Sequence, residues 1–219
     1  MITLKQVKEN PAIKTYIAYA DNVLVQLGYT EHRFIHINRV ASVAKYILES
    51  LGYSEREIEL AQIAGYLHDI GNLINRIEHA QSGAAMAFCL LNDMGADPED
   101  IATICTAIGN HDESTAVAVS PVAAALIIAD KADMRRSRVR DVDTPEFDIH
   151  DRVNYSVTNS TVTVSEDRSV ISLDLEIDTS YCPIMDYFEI FLSRMTLCRK
   201  AAEKLGATFQ LTINNQRIV

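Results

Sequence analysis

Leu67-His68-Asp69-Ile70-Gly71 ends a strongly apolar helical segment and sets an imidazole beside a carboxylate. Adjacent residues on a helix point roughly 100° apart, so His68 and Asp69 cannot both lie passively on one buried face. A carboxylate at a helix C-terminus is also poorly placed, because that end favours cations. A metal ion would supply the missing positive charge. Taken alone, the dipeptide reads more simply as a solvated pair at a fraying helix end, and the rest of the chain decides between the two.

Working outward from this stretch, the pattern is helical on both sides. Ser54-Glu55-Arg56-Glu57 has the form of a capping box and starts the helix that ends at His68-Asp69. Before it, residues 3–28 carry apolar positions at helical spacing, interrupted by Pro11 and stopped by Gly28. Residues 31–51 form the next helix, with Ile35, Val40, Val43, Ala44, Ile47 and Leu48 as its buried stripe. His36 lies at the inner edge of that stripe, and His32, four residues earlier, is the weaker candidate.

Downstream, a short polar turn (Asn72 to Glu78) leads to His79, which opens a helix apolar almost all round. A helix N-terminus disfavours protonation and keeps an imidazole fit to bind metal. Asp97-Pro98-Glu99-Asp100 is an N-cap, an N1 proline and an acidic first turn, opening a helix that runs to Asn110-His111. Ser120-Pro121 starts the last of this series, in which eight apolar residues, Val122 to Ala129, run directly into Asp130. A carboxylate on so buried an element needs a partner.

Residues 135–148 break the composition: a basic run (Arg135, Arg136, Arg138, Arg140) precedes an acidic, Pro-containing stretch. The run is either a solvated face or a phosphate contact, and its place just after Asp130 favours the second. From residue 153 the period changes. Strands are expected over 161–165, with Val157 before it, and over 171–178, the latter alternating with Leu173, Leu175 and Ile177 on one face. A helix follows over 183–205, with Phe188, Phe191, Leu192, Met195, Cys198 and Ala202 inward, then a strand over 208–213 and an Asn214-Asn215 hairpin turn. The expected architecture is mainly α, a helical bundle, with a small C-terminal β-β-α-β appendix. Its parts are a helical metal-binding domain over 1–140, a connecting segment over 141–152 and the appendix over 153–219.

The chain has 219 residues, of which 48% are hydrophobic, enough for a real core. A net charge of −10 argues against wrapping long nucleic acid, which needs a basic footprint. Cys89, Cys105, Cys182 and Cys198 form no C-x-x-C pair and read as buried free thiols of a reducing compartment. No apolar run approaches a membrane span and the N-terminus lacks a signal-peptide core, so a cytoplasmic protein without a membrane partner is expected.

His36, His68, His79 and His111, with Asp69 and Asp130, all stand at the inner ends of apolar helices. In a bundle such ends can converge on one pocket. The nitrogen and oxygen set suits Fe, Mn, Co, Ni or a catalytic Zn. Six candidates exceed the needs of one ion and suit two divalent metal ions about 3.5–4 Å apart with Asp69 between them, holding a hydroxide for attack on phosphorus. Lys131 and Arg136 are placed to neutralise the developing charge, with Arg135 beside them for substrate binding.

The order H…HD…H…H…D resembles the HD superfamily of metal-dependent phosphohydrolases. More narrowly it is similar to the dinuclear branch containing bacterial symmetrical diadenosine-tetraphosphate hydrolases. The matching pieces are Leu67-His68-Asp69-Ile70-Gly71, His79-Ala80 with Gly83-Ala84, Ala107-Ile108 with His111, Ser120-Pro121, and Ala129-Asp130-Lys131 with Arg136. The resemblance implies one ion held by His36, His68, Asp69 and Asp130, and a second held by Asp69, His79 and His111. It also implies phosphate contacts from Lys131 and Arg136. The chain departs from the family pattern at Asn72, Asp112 and Met134. The expected function is metal-dependent hydrolysis of a small nucleotide-like phosphate ester or anhydride. The alternative is a non-catalytic metal- and nucleotide-binding regulatory module that self-associates, as a homodimer, through its C-terminal part.

Overall fold

The structure is a computed structural model that describes residues 1–29, 34–139 and 149–219. His32, Arg140 and most of the connecting segment lie outside the described residues. The chain begins with α1 (Leu4–Glu9) and α2 (Pro11–Gln26), divided where Asn10 accepts hydrogen bonds from the backbone of Ala12 and Ile13. Pro11 sits at the first position of α2, where its missing N–H costs nothing. Next come α3 (Phe34–Leu51) and α4 (Glu55–Leu67). The Ser54 capping box is present: Glu57 accepts from the Ser54 N–H at 3.1 Å while Ser54 Oγ accepts from the Glu57 N–H.

A single 3-10 turn, Ile70–Leu73, carries the chain from α4 toward α5 (His79–Asp93). Asn72 is not turn filler: it is fully buried in that 3-10 turn. Then follow α6 (Pro98–Gly109) and α7 (Pro121–Lys131). Close helix contacts set the frame. A Cβ on Gly65 of α4 would lie 2.9 Å from the Ala41 Cα of α3, so only glycine lets these two backbones approach as they do.

The C-terminal part adds α8 (Ile149–Ser156), β1 (Val157–Val164), β2 (Val170–Ile177), α9 (Ile184–Lys204), β3 (Thr208–Ile213) and β4 (Gln216–Arg217). The sheet order is β1-β2-β3-β4, with β1 and β4 antiparallel to their neighbours and β2 parallel to β3. The parallel pair needs a crossover, and α9 supplies it. Asn214 and Asn215 both take positive φ (49° and 64°), which makes the tight turn between β3 and β4.

The helix α8 was not expected. Its eight residues include His150, Asp151, Arg152 and Asn154, too polar for an apolar stripe to show. β1 begins at Val157, which also reads as strand in the sequence, and runs without a break to Val164. In α9 the inward stripe is Tyr187, Phe191, Met195, Cys198 and Ala202, while Leu192 is 57% exposed. Ile35 likewise faces out at the start of α3. Cys182 and Cys198 are buried, but Cys105 is half-buried and Cys89 is exposed.

One apolar core runs through both parts, from Val7 and Ile13 to Phe209 and Leu211. Its centre is α7, buried from Val122 to Ala129. A helix apolar all round must be covered all round. α3, α4 and α6 cover part of it, and α9 from the C-terminal part packs against it as well. No helix among the described residues is long and apolar enough to cross a membrane.

Candidate metal centre

Each of the four histidines sits where an apolar helix delivers it inward. His36 lies one turn into α3, His68 follows α4, His79 opens α5 and His111 follows α6. All four are buried, and Asp69 is nearly so. The residue before His79, Glu78, takes a left-handed conformation (φ 56°) that turns the chain into α5.

The imidazoles are oriented alike. His68 Nδ1 donates to Gly65 O (2.8 Å), His111 Nδ1 to Ile108 O (2.6 Å) and His79 Nδ1 to Arg76 O (3.1 Å). His36 Nδ1 donates to Asp133 Oδ2 (2.7 Å). An Nδ1–H engaged in this way fixes the tautomer and turns Nε2 inward as a ligand. The rings form a chain of edge contacts, His36 to His68 to His111 to His79, with centroids 5.0–5.1 Å apart.

The inward atoms fall into two groups about Asp69. Asp69 Oδ2 lies 3.5 Å from His36 Nε2 and 3.3 Å from His68 Nε2. Asp130 Oδ1 lies 3.4 Å and 3.5 Å from the same two nitrogens, which are 3.2 Å apart. Asp69 Oδ1 faces the other way, 3.4 Å from His79 Nε2, itself 3.3 Å from His111 Nε2.

These spacings fit metal ions. Four ligands about 2.1 Å from a tetrahedral centre stand about 3.4 Å from one another, matching the distances in the first group. In the second group, the imidazole lone pairs of His79 and His111 face each other at 3.3 Å and repel unless a cation lies between them. His36, His68 and Asp130 can hold one ion, and His68, Asp69 and His111 form a second overlapping set.

The electrostatics follow the same division. Burial lowers the His111 pKa to about 3, helped by His68 and Lys131, and burial lowers that of His79 too. Burial also works against a charged His68, but Asp69 and Asp130 outweigh it and raise its pKa to about 10. His36 is raised likewise, with Asp130, Asp133 and Asp69 overcoming burial and Arg138. Asp130 is held well below the carboxylate range: burial opposes this, and Lys131, His36 and His68 prevail.

A shell of polar groups holds the ligands. Asn72 Nδ2 donates to Asp69 O (2.9 Å) and Asp69 Oδ1 (3.0 Å), so this side chain orients the central carboxylate. Asp133 is paired with Arg39 Nε (3.0 Å) and Arg135 Nε (2.8 Å), and Arg138 Nη1 donates to its carbonyl (2.8 Å). Arg39 also donates to Ser160 O of β1 (2.5 Å), tying the sheet to this shell.

Asp69, His79, His111 and Asp130 line a cavity of about 510 Å³ whose walls include Tyr29, Arg76, Lys131, Arg138, Asn154 and Arg194, with His36 and His68 buried behind them. Of the basic residues singled out by sequence, Lys131 and Arg138 line it, Lys131 with its Nζ 2.6 Å from Asp130 Oδ2. Arg135 is turned to Asp133. The structure does not bring Arg136 to the cavity: its Nε donates to Tyr155 O (2.7 Å) and its guanidinium stacks on Tyr155 and Tyr181. The 3-10 turn Arg136–Arg138 points alternate arginines apart, so Arg138 faces the site instead.

Arg76, Glu113, Asp133 and Arg194 escaped the sequence reading. Asp133 alone carried a signal, standing one helical turn beyond Asp130.

No curated protein matches the chain. Among solved structures, a predicted HD superfamily hydrolase from an uncultured Thermotogales bacterium is similar, at 25% identity and a TM-score of 0.45. The alignment covers 61% of this chain and 75% of that one. Residues 33–135 match the family model described as HD domain, a span that holds all six candidate ligands.

Proposed function

We propose that this protein is a divalent-metal-dependent phosphohydrolase acting on a small nucleotide-like phosphate ester or anhydride. One observation carries the reading: four imidazoles with their Nδ1 atoms engaged turn Nε2 inward, those of His36, His68 and His79 onto the two oxygens of Asp69 and that of His111 onto His79, beside a cavity that Arg76, Lys131 and Arg138 also line. His36, His68, Asp69 Oδ2 and Asp130 would hold one ion, and Asp69 Oδ1, His79 and His111 a second. Such ions, when bound, lower the pKa of water and draw charge from phosphoryl oxygens.

The remaining work falls to the chain itself. Lys131 stands beside Asp130 on the flank of the first group, and Arg76 Nη1 stands 3.8 Å from Asp69 Oδ1 on the flank of the second. A phosphoryl group seated above Asp69 meets a cation on either side, where charge on its non-bridging oxygens is stabilised. Asp133 and Asn72 are positioning residues that keep His36 and Asp69 aimed. Water adds to phosphorus, the bond to the leaving oxygen breaks, and a proton from the water goes to that oxygen.

The test is phosphate or nucleotide release from a panel of nucleotides and phosphate esters, with Mn²⁺, Fe²⁺ or Co²⁺ supplied. Turnover abolished by chelator and restored by metal is expected. A metal-loaded protein that leaves every substrate intact overturns the reading in favour of a binding module.

A further inference from the structure

Beyond the metal centre, the cavity wall shows a row of alternating charges running outward. Asp130 Oδ2 meets Lys131 Nζ at 2.6 Å, Lys131 Nζ lies 3.5 Å from Glu113 Oε1, and the same oxygen lies 2.6 Å from Arg194 Nε. Arg194 comes from α9, outside the residues that match the HD domain. Its guanidinium lies flat over the Phe191 ring, 4.5 Å from the centroid, and Phe191 is itself fully buried. Stacking fixes the guanidinium plane, while the buried Nε, close as it is to Glu113, has no hydrogen-bond partner among the described residues. Among the described residues, its two terminal nitrogens meet no hydrogen-bond acceptor, and the side chain lines the cavity.

A guanidinium fixed in plane with its fork unmet suits the paired oxygens of a phosphate. Three ion pairs link Arg194 to the Asp130 carboxylate, so Arg194 would face a group beside the phosphoryl group seated over Asp69. Lys131 stands between the two positions, and Glu113 occupies the space between both cations.

We propose that Arg194 and Lys131 form a second phosphate subsite, which selects substrates carrying another phosphate beside the reacting one. The substrate class is then a phosphoanhydride or a vicinal bisphosphate, not a simple monoester. In an anhydride, the oxygen of water bonds to one phosphorus, the P–O bond of the bridge breaks, and the departing phosphate takes a proton. This deepens the phosphohydrolase reading and rests on it for the position of the reacting group. Arg194 is a specificity residue supplied by the C-terminal part.

The probes are two non-hydrolysable anions, methylenediphosphonate and methylphosphonate, titrated calorimetrically into the full chain loaded with Mn²⁺ and dialysed free of excess metal. The wild type should bind the diphosphonate about tenfold more tightly, the worth of one charge-assisted contact. Arg194→Gln should lose most of that preference while holding methylphosphonate as before. Glu113→Gln, which removes the competing carboxylate, should tighten the diphosphonate alone. A wild type without the preference, or an Arg194→Gln protein that keeps it, overturns the subsite.

If Arg194→Gln binds neither anion because its fold is damaged, Glu113→Gln decides, since tighter binding does not arise from misfolding. A diphosphonate preference lost in Arg194→Gln, in a protein that turns over nothing, would leave the subsite standing and remove the hydrolase reading. Turnover of monoesters without the preference would do the reverse.

Discussion

Asp69 presents its two oxygens to different partners, Oδ2 to His36 and His68 and Oδ1 to His79. Removal of that carboxylate should therefore empty both groups, while His79→Ala should leave the first intact. Metal analysis of the two purified variants checks this, and equal loss in both would refute the two-ion assignment. The residues that converge here could be picked out from sequence because each follows or opens an apolar run, where a charged or imidazole side chain has no ordinary reason to be. Asn72, Arg76 and Arg194 sit in polar surroundings of the sequence, and nothing local separates them from surface residues.

The histidines also set a pH dependence for the metal-free protein. The His111 pKa falls from 6.5 to about 3, so the unfolded chain binds the extra proton between those values and stability is lost as pH drops through them. That of His68 rises from 6.5 to about 10, so its contribution is present below 6.5 and lost as pH climbs toward 10. For these two residues the stabilising windows meet near pH 6.5. Thermal melts of chelator-treated protein from pH 4 to pH 10 should pass through a maximum there, and a curve still rising at pH 9 would contradict the assignment.

At the scale of elements, the junction between the 3-10 turn and α5 is the tightest point of the site. A Cβ on Gly71 would overlap the His79 carbonyl and the Gly83 backbone nitrogen, neither of which can yield without moving α5. Gly71→Ala should displace His79 from Asp69 and weaken binding at the second group first. Metal stoichiometry with circular dichroism would show this as loss of metal at retained helix content. Most elements announced themselves through caps and periodicity: Ser54, Asp97 and Ser120 all accept the backbone bonds that their positions imply. α8 did not, because a short polar helix held by tertiary contacts leaves no stripe. The inward face of α9 was misjudged by one position, since Leu192 and Tyr187 differ in hydropathy but the helix phase is set by α7 and β3.

For the whole molecule, the C-terminal part is joined to the helical part through the core and the site. α9 packs on α7, and the cavity takes Asn154, Phe191 and Arg194 from beyond residue 148. A chain cut at residue 148 would bare apolar surface of α7, so it should be insoluble or bind a hydrophobic dye, whereas a soluble, cooperatively melting fragment would show that α9 is dispensable. The candidate metal centre reaches as widely, drawing its residues from α3 and α7 and from the ends of α4, α5 and α6. Those residues come together only in the folded state, so a metal held by them would bind the native chain in preference to the unfolded one. Free metal at a hundred times its dissociation constant stabilises by about 2.7 kcal/mol. For a chain of this size that corresponds to a Tm rise of about 5–10 °C. Scanning calorimetry of chelated and Mn²⁺-loaded protein at pH 7 should show such a rise, and His36→Ala, which removes a ligand of the first group, should reduce it. Identical melting with and without metal would mean that the ligands do not bind as a folded-state set.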